Sequence, residues 1–241
     1  MSTFTYQELA SPLHDEAAVA AITDPVRARL DGLGGRPGPA DADDLTPFLI
    51  VVATGGTEQA VLEVARRRAH ACPGEPVVLV AHPGHNSLPA ALEALARLHQ
   101  DGRRGRIAYV PEAEADEPGE ALADLVAWHR LRSTRLGQVG EPSDWLTASV
   151  PDAEAARRRW GVELVTVPME DVLRHHRRPP ADAVAVRWRG TSGPDPAEVA
   201  AAEALHPTLT EVLDRHRVDA VTVRCFDLLG DPGTSGCLAL A

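Results

Sequence analysis

Lysine is missing altogether: all 24 basic residues among the 241 are arginines. Its absence excludes Schiff-base catalysis and phosphate binding by a P-loop lysine, two large classes of enzyme chemistry. Cysteine is scarce. Cys72, Cys225 and Cys237 form neither a CxxC pair nor an even disulfide set, and they read as reduced core thiols. Positive charge is in deficit too, with 35 acidic against 24 basic residues and a formal charge of −11. Phosphate binding needs clustered cations, so neither nucleic acid nor an anionic membrane surface is an expected partner. No apolar run approaches the ~20 residues of a membrane span; the longest clean one is Phe48–Ala53. The opening MSTFTYQELASPLHDE carries acids where a secretory signal needs a basic start and an apolar stretch. A soluble, cytoplasmic protein is the expectation.

What is present is ordinary globular material, 44% hydrophobic and 24% charged, enough for one sizeable domain or two small ones. A chain of this length buries roughly 70% of the surface its unfolded form exposes, so a core can form without metals or disulfides. The first 44 residues read as a short helical segment and then an exposed Gly/Pro/Asp loop, DGLGGRPGPADADD. Strand-like apolar runs follow at 48–53, 77–81 and 106–110. Each is succeeded by a turn and a helical pattern: after TGGTE (54–58), after HPGHNS (82–87), and from Ala121 to Arg132. Alternation of this kind predicts an α/β fold with a parallel sheet and right-handed crossovers.

Around GEPSDW (140–145) the pattern gives way to a loop. We place a domain boundary there, with a Rossmann-like domain over 1–146 and a second, incomplete α/β domain over 147–241. In the second, helices are expected over 153–160, 169–176 and 197–217, the last broken or kinked by Pro207. Strands are expected over 162–167, over 183–188, and within 218–226 as VTVRCF. RGTSGPDP reads as an exposed loop. Thr234 and Ser235 are good N-cap residues before an apolar segment that stops after about two turns, so the sequence reads as interrupted inside a helix.

In a doubly wound sheet, ligands bind outside the carboxyl ends of the strands, where helix N-termini present free N–H groups. TGGTE, HPGHNS and GEPSDW are the segments expected there. In TGGTE the glycines admit a ligand to the backbone, and Thr57 and Glu58 offer a hydroxyl and a carboxylate. The plain alternative is a helix cap with an acid on the dipole. The G-x-G-x-x-G dinucleotide fingerprint is absent. His82 and His85 lie three apart across Pro-Gly, a spacing that could serve one metal, yet no third ligand is identifiable. Asn86-Ser87 reads as a helix cap, and His175-His176 beside two arginines as a solvated basic turn. Trp145 in a polar loop suits stacking on a sugar ring or plugging the domain junction. Arg224 and Asp227, at the end of an apolar strand, are a structural ion pair or a clamp for a polyol or carboxylate. No nucleophile–base arrangement emerges from these residues.

Together, ATGGTEQ (53–59), HNSLPAALEALARL (85–98), GEPSDWL (140–146) with the following ASVPD, and RCFDLL…TSGCLALA (224–241) resemble the short members of the L-fucose isomerase/L-arabinose isomerase superfamily. The resemblance implies a Rossmann-like first domain, a second α/β domain and a homo-oligomer. It also implies aldose–ketose interconversion through an enediol with a divalent cation, usually Mn²⁺, acting as Lewis acid. The family's metal-binding Glu, Asp and His follow the helix corresponding to GCLALA, so the resemblance puts no metal ligand, and no catalytic acid or base, on residues 1–241. What it carries onto this chain is a sugar-binding surface of Thr57, Glu58, Asn86, Ser87, Ser143, Trp145 and Arg224. A non-catalytic sugar-binding or assembly protein on the same scaffold is the alternative. A sugar-phosphate or nucleotide binder comes last, because TGGTE contains no basic residue.

Overall fold

The computed structural model describes residues 3–41, 46–111, 116–150, 152–176, 202–230, 233–234 and 236–240. It divides into two compact units, Met1–Arg130 and Leu131–Ala241. No helix among the described residues is long and apolar enough to cross a membrane.

Unit 1 runs β1 (Phe4–Leu9), α1 (Glu16–Gly32), β2 (Gly35–Pro37), β3 (Phe48–Val52), α2 (Glu58–Ala71), β4 (Val77–Ala81), α3 (Ser87–Gln100), β5 (Gly105–Tyr109) and α4 (Glu117–Ser133). The strands form one parallel sheet in the order β2-β1-β3-β4-β5. β3 and β4 are buried on both faces, which is why FLIVV and VVLVA are continuous apolar runs and not alternating ones. Phe48, Ile50, Val52, Val77 and Leu79 pack with Val61, Val64 and Ala65 of α2 and with Ala90, Ala91, Ala94 and Leu98 of α3. Leu49, Val51, Val78 and Val80 face the other way, against Val26 and Leu30 of α1 and Ala121, Leu122 and Leu125 of α4. The chain steps from β1 outward to β2, then crosses back to β3 and proceeds the opposite way. Right-handed crossovers therefore place α1 and the α2/α3 pair on opposite faces. The order of winding reverses between β1 and β3.

Three local features differ from the sequence-based expectation in this unit. The N-terminal segment is not merely helix and loop: Phe4 and Tyr6 are buried, and β1 lies between β2 and β3. α1 extends over 17 residues from an Asp15 cap, whose carboxylate accepts the Ala18 N–H at 2.8 Å, and it contains Pro25. Part of the glycine-rich stretch forms β2, while residues 42–45 lie outside the described ones.

Unit 2 contains β6 (Arg135–Val139), α5 (Ala153–Trp160), β7 (Glu163–Val167), α6 (Met169–His176), α7 (Leu205–His216), β8 (Ala220–Val223), a 3₁₀ turn (Cys225–Leu229) and α8 (Gly236–Ala239). Its parallel sheet has the order β7-β6-β8. Val139, Val167, Met169, Val172, Leu205, Leu209, Val212 and Leu228 form its core. β6 pairs with both β7 and β8, so the second sheet begins ahead of the GEPSDW loop, where the boundary after Leu146 was expected. Gly137 and the charged Arg135 hide β6 from an apolar-run reading. Of VTVRCF, only the first part is strand; Cys225 and Phe226 turn into the 3₁₀ segment. The helix expected over 197–217 is broken at Ala204, between helical residues 202–203 and α7, as Pro207 requires: it has no N–H for the carbonyl of residue 203. Within α7, Pro207 sits in the first turn, where a missing N–H removes no intrahelical bond. The expected strand at 183–188 and the loop RGTSGPDP lie outside the described residues.

Candidate functional site

The reversal between β1 and β3 is a topological switch point, where the loops leaving the two strands part and open a crevice at the carboxyl edge of the sheet. A cavity of about 460 Å³ lies there, lined by Ser11, Leu13 and His14 after β1, Gly55, Gly56 and Glu58 after β3, and His85, Asn86, Pro89 and Ala90 after β4.

Hydrogen bonds between the loops fix this crevice. The Ser11 N–H donates to Thr54 Oγ1 at 2.7 Å, and the Gly55 N–H to the His85 carbonyl at 2.8 Å. His82 is buried, with Nε2 at 2.8 Å from the Ala53 carbonyl and Nδ1 3.2 Å from the Gly84 N–H. The first contact requires a proton on Nε2 and the second a lone pair on Nδ1, which defines the neutral Nε2–H tautomer. Burial is the main cause that holds the His82 pKa below its ordinary value, with nearby His85 adding to it and the Ala53 bond opposing it. Both His82 ring nitrogens are engaged within the loops, so His82 offers no free nitrogen for the metal use that its spacing from His85 left open.

The site residues read from the sequence separate into framework and lining. Thr57 is buried and its hydroxyl donates to the Thr54 carbonyl at 2.8 Å. Ser87 is fully buried, its hydroxyl accepting the His82 N–H at 3.0 Å and donating to the Val52 carbonyl. Those two hydroxyls shape the loops and do not line the cavity. Glu58 and Asn86 do. Glu58 takes the Gly56 N–H at 3.3 Å on one carboxylate oxygen. Asn86 does not cap α3 with its side chain, contrary to the expectation, because it and His85 both adopt left-handed backbone conformations, at φ 57° and 51°. Two adjacent non-glycine residues in this region cost roughly 1–3 kcal/mol each, a strain that concentrates at ligand sites. Gly55 packs closely against this strained pair: a Cβ there would stand 2.8 Å from the Asn86 Cβ.

Ser11 and His14 were not found from the sequence, because their segment did not read as following a strand. The His14 ring meets His85 edge-on, centroids 5.5 Å apart. The Phe4-x-Tyr6 alternation ahead of Ser11-Pro12 was the signal available.

Ser143, Trp145 and Arg224 belong to unit 2. Its sheet order, with β6 first in sequence and central in space, creates a second switch point of the same kind between β6 and β8. The loop after β6 begins at Gly140, whose N–H donates to the Val167 carbonyl at 3.0 Å, and it carries Ser143 and Trp145. The segment after β8 carries Arg224, paired with Asp227 at 3.0 Å, and Phe226. Trp145 and Phe226 meet across it edge-to-face at 5.8 Å, each 61% exposed. Trp145 therefore rests on Phe226 with most of its surface in solvent. Cys225 is half-buried and Cys237 exposed, so of the three expected core thiols only Cys72 is buried. His175 and His176 are not a solvated turn. They end α6, with His175 Nδ1 2.6 Å from the Asp171 carbonyl and burial lowering the His176 pKa.

For metal, the described residues offer one group of three ligand-type side chains within 4.8 Å of one another: Cys72, Glu75 and His129. It does not fit Mn²⁺, which prefers hard oxygen donors, since one of the three is a thiol and just one is a carboxylate. It also sits at the amino end of β4, the opposite edge of the sheet from the crevice.

The fold and these loops define unit 1 as a doubly wound α/β domain with a crevice at its switch point that carries Glu58 and Asn86. No protein-family model matches the chain, and no curated protein matches it significantly.

Proposed function

We propose that this chain provides the carbohydrate-binding surface of a sugar ketol isomerase, with a monosaccharide held in the β1/β3 crevice of unit 1. The observation that carries the reading is the convergence of three loops on one cavity whose lining contains no arginine and places Glu58 at the start of α2. An acid at that position occupies the positive end of the helix dipole and repels phosphate, so a neutral polyol suits the crevice better than a sugar phosphate or nucleotide. Glu58 accepts sugar hydroxyls, Asn86 both donates and accepts, and the His14 and His85 rings add further polar contacts. In unit 2, the exposed face of Trp145 suits the apolar C–H face of a sugar, with Arg224 and Asp227 beside it for hydroxyls.

The reaction class rests on the resemblance alone. Mn²⁺ belongs to that part of the reading; with no fitting donor set among the described residues, no step is routed through it. A non-catalytic carbohydrate-binding protein is the second reading, favoured by Thr57 and Ser87 spending their hydroxyls on backbone carbonyls, as framework and not as reacting groups. Titration of an L-pentose and a 6-deoxyhexose into the protein, followed by an aldose–ketose assay with Mn²⁺ supplied, separates the two. Saturable binding with turnover supports the isomerase, binding without turnover supports the second reading, and no binding of either sugar overturns both. A homo-oligomer in the cytoplasm is part of the same proposal; sedimentation as a monomer at working concentration contradicts its assembly.

A further inference from the structure

We propose that Cys72, Glu75 and His129 form a zinc-binding site at the edge of unit 1 away from the crevice. Cys72-Pro73-Gly74-Glu75 is a tight turn: the Glu75 N–H donates to the Cys72 carbonyl at 3.3 Å, and Gly74 has φ 83°. Proline followed by a left-handed glycine is the signature of a type II turn, which brings residues i and i+3 together. Two ligands thus come from one rigid turn after α2. The third comes from α4, where His129 Nε2 lies 2.6 Å from Glu75 Oε1.

The donor set of one sulfur, one nitrogen and one carboxylate oxygen is that of a tetrahedral Zn²⁺ site with a fourth position left for water. Cys72 and Glu75 are buried and the His129 side chain is 10% exposed, so the histidine side is the nearest to solvent. A support beyond the ligands is already built. The Arg68 guanidinium holds the Glu75 carboxylate through Nε and Nη2, and Nη2 also donates to the Thr46 carbonyl at 2.6 Å. Second contacts of this kind orient ligating carboxylates in metal sites. Charge is consistent as well. A thiolate, a carboxylate, the guanidinium and a divalent cation sum to one positive charge, less than the two left by a three-imidazole zinc site. Binding releases the Cys72 thiol proton to solvent and shifts His129 from the Nε2–H tautomer that donates to Glu75 to the Nδ1–H tautomer, whose Nε2 lone pair then faces the metal.

The test uses the whole chain after EDTA treatment, titrated with Zn²⁺ against a chromophoric chelator and separately with Co²⁺. One equivalent of Zn²⁺ per chain is expected, and the Co²⁺ form should show the near-ultraviolet sulfur-to-cobalt charge-transfer band. Cys72→Ser should abolish that band and weaken Zn²⁺ binding beyond the ~10- to 100-fold that losing an outer partner costs. His129→Gln keeps a donor to Glu75 but removes the imidazole ligand, and should weaken Zn²⁺ binding similarly; it decides the matter if Cys72→Ser fails to fold. Absence of Zn²⁺ binding, or binding unchanged in the folded variants, overturns the site and leaves a structural Arg–Glu–His network. This outcome is independent of sugar binding in the crevice.

Discussion

Substituting Gly55 by alanine should damage the crevice more than it damages the fold. Carbon atoms in contact ordinarily stand 3.5–4.0 Å apart, whereas the new Cβ would lie 2.8 Å from the Asn86 Cβ and 3.4 Å from its carbonyl oxygen. Neither neighbour is the far end of a flexible chain, so the loops after β3 and β4 must separate by about 1 Å to restore contact distance. That strains the Gly55–His85 hydrogen bond and displaces Asn86 relative to Glu58. The stability cost expected of such overpacking is about 1–3 kcal/mol. Sugar affinity should fall about tenfold or more, equivalent to about 1.4 kcal/mol. Gly102→Ala is the matched control. Gly102 has φ 73° with nothing within 4 Å of a built Cβ, and it ends α3 at the other edge of the sheet. Forcing alanine into that backbone costs about 1–2 kcal/mol without touching the crevice. The assay is urea unfolding for stability and calorimetry for sugar affinity, on both variants. If Gly55→Ala keeps the affinity of Gly102→Ala at comparable stability, the Gly55–Asn86 contact does not shape a binding site and the reasoning fails.

Further predictions concern the framework. Ser87→Ala deprives the buried His82 N–H and Val52 carbonyl of their partner; unfolding free energy should drop by about 1–3 kcal/mol, and a loss below a few tenths would show that water replaces the hydroxyl. Pro25→Ala should stabilise unit 1, since proline inside α1 costs up to ~3 kcal/mol of helix propensity, partly offset by ~0.4–1 kcal/mol of lost unfolded-state stiffness. An unchanged or lower urea midpoint contradicts this. His82 is neutral in the fold and its pKa lies below the ordinary 6.5. The unfolded chain therefore binds a proton that the folded chain resists. Its contribution to stability is full above about pH 6.5 and is lost as pH falls toward the depressed folded value. His82→Gln should flatten that part of the stability–pH curve; an identical slope in both proteins refutes the assignment.

The central parts of the fold were legible because the sequence there is redundant. β3 and β4 are buried on both faces, so apolar runs, glycine turns and helix starts all agree. β1 and β6 were less legible, since FTYQEL and RLGQV carry polar residues at half-buried positions and β6 also contains a glycine. Missing β1 hid Ser11 and His14, and with them the switch point, which is a property of strand order and has no local signature. Thr57 and Ser87 were recognised as special by type and position, but only the backbone carbonyls opposite them reveal that their hydroxyls face the framework. Trp145 and Arg224 reached a common place through the pairing of β6 with β8. The Cys72/Glu75/His129 group joins a turn to a residue on a distant helix. Its Pro-Gly turn was readable, but its third member was not.

Hydrogen exchange of backbone amides with and without saturating monosaccharide tests the crevice most directly. The account predicts protection in unit 1 over Ser11–His14, Gly55–Glu58 and Gly84–Ser87, the three loops that meet at the β1/β3 switch point. Saturable binding that leaves those amides unprotected would contradict it.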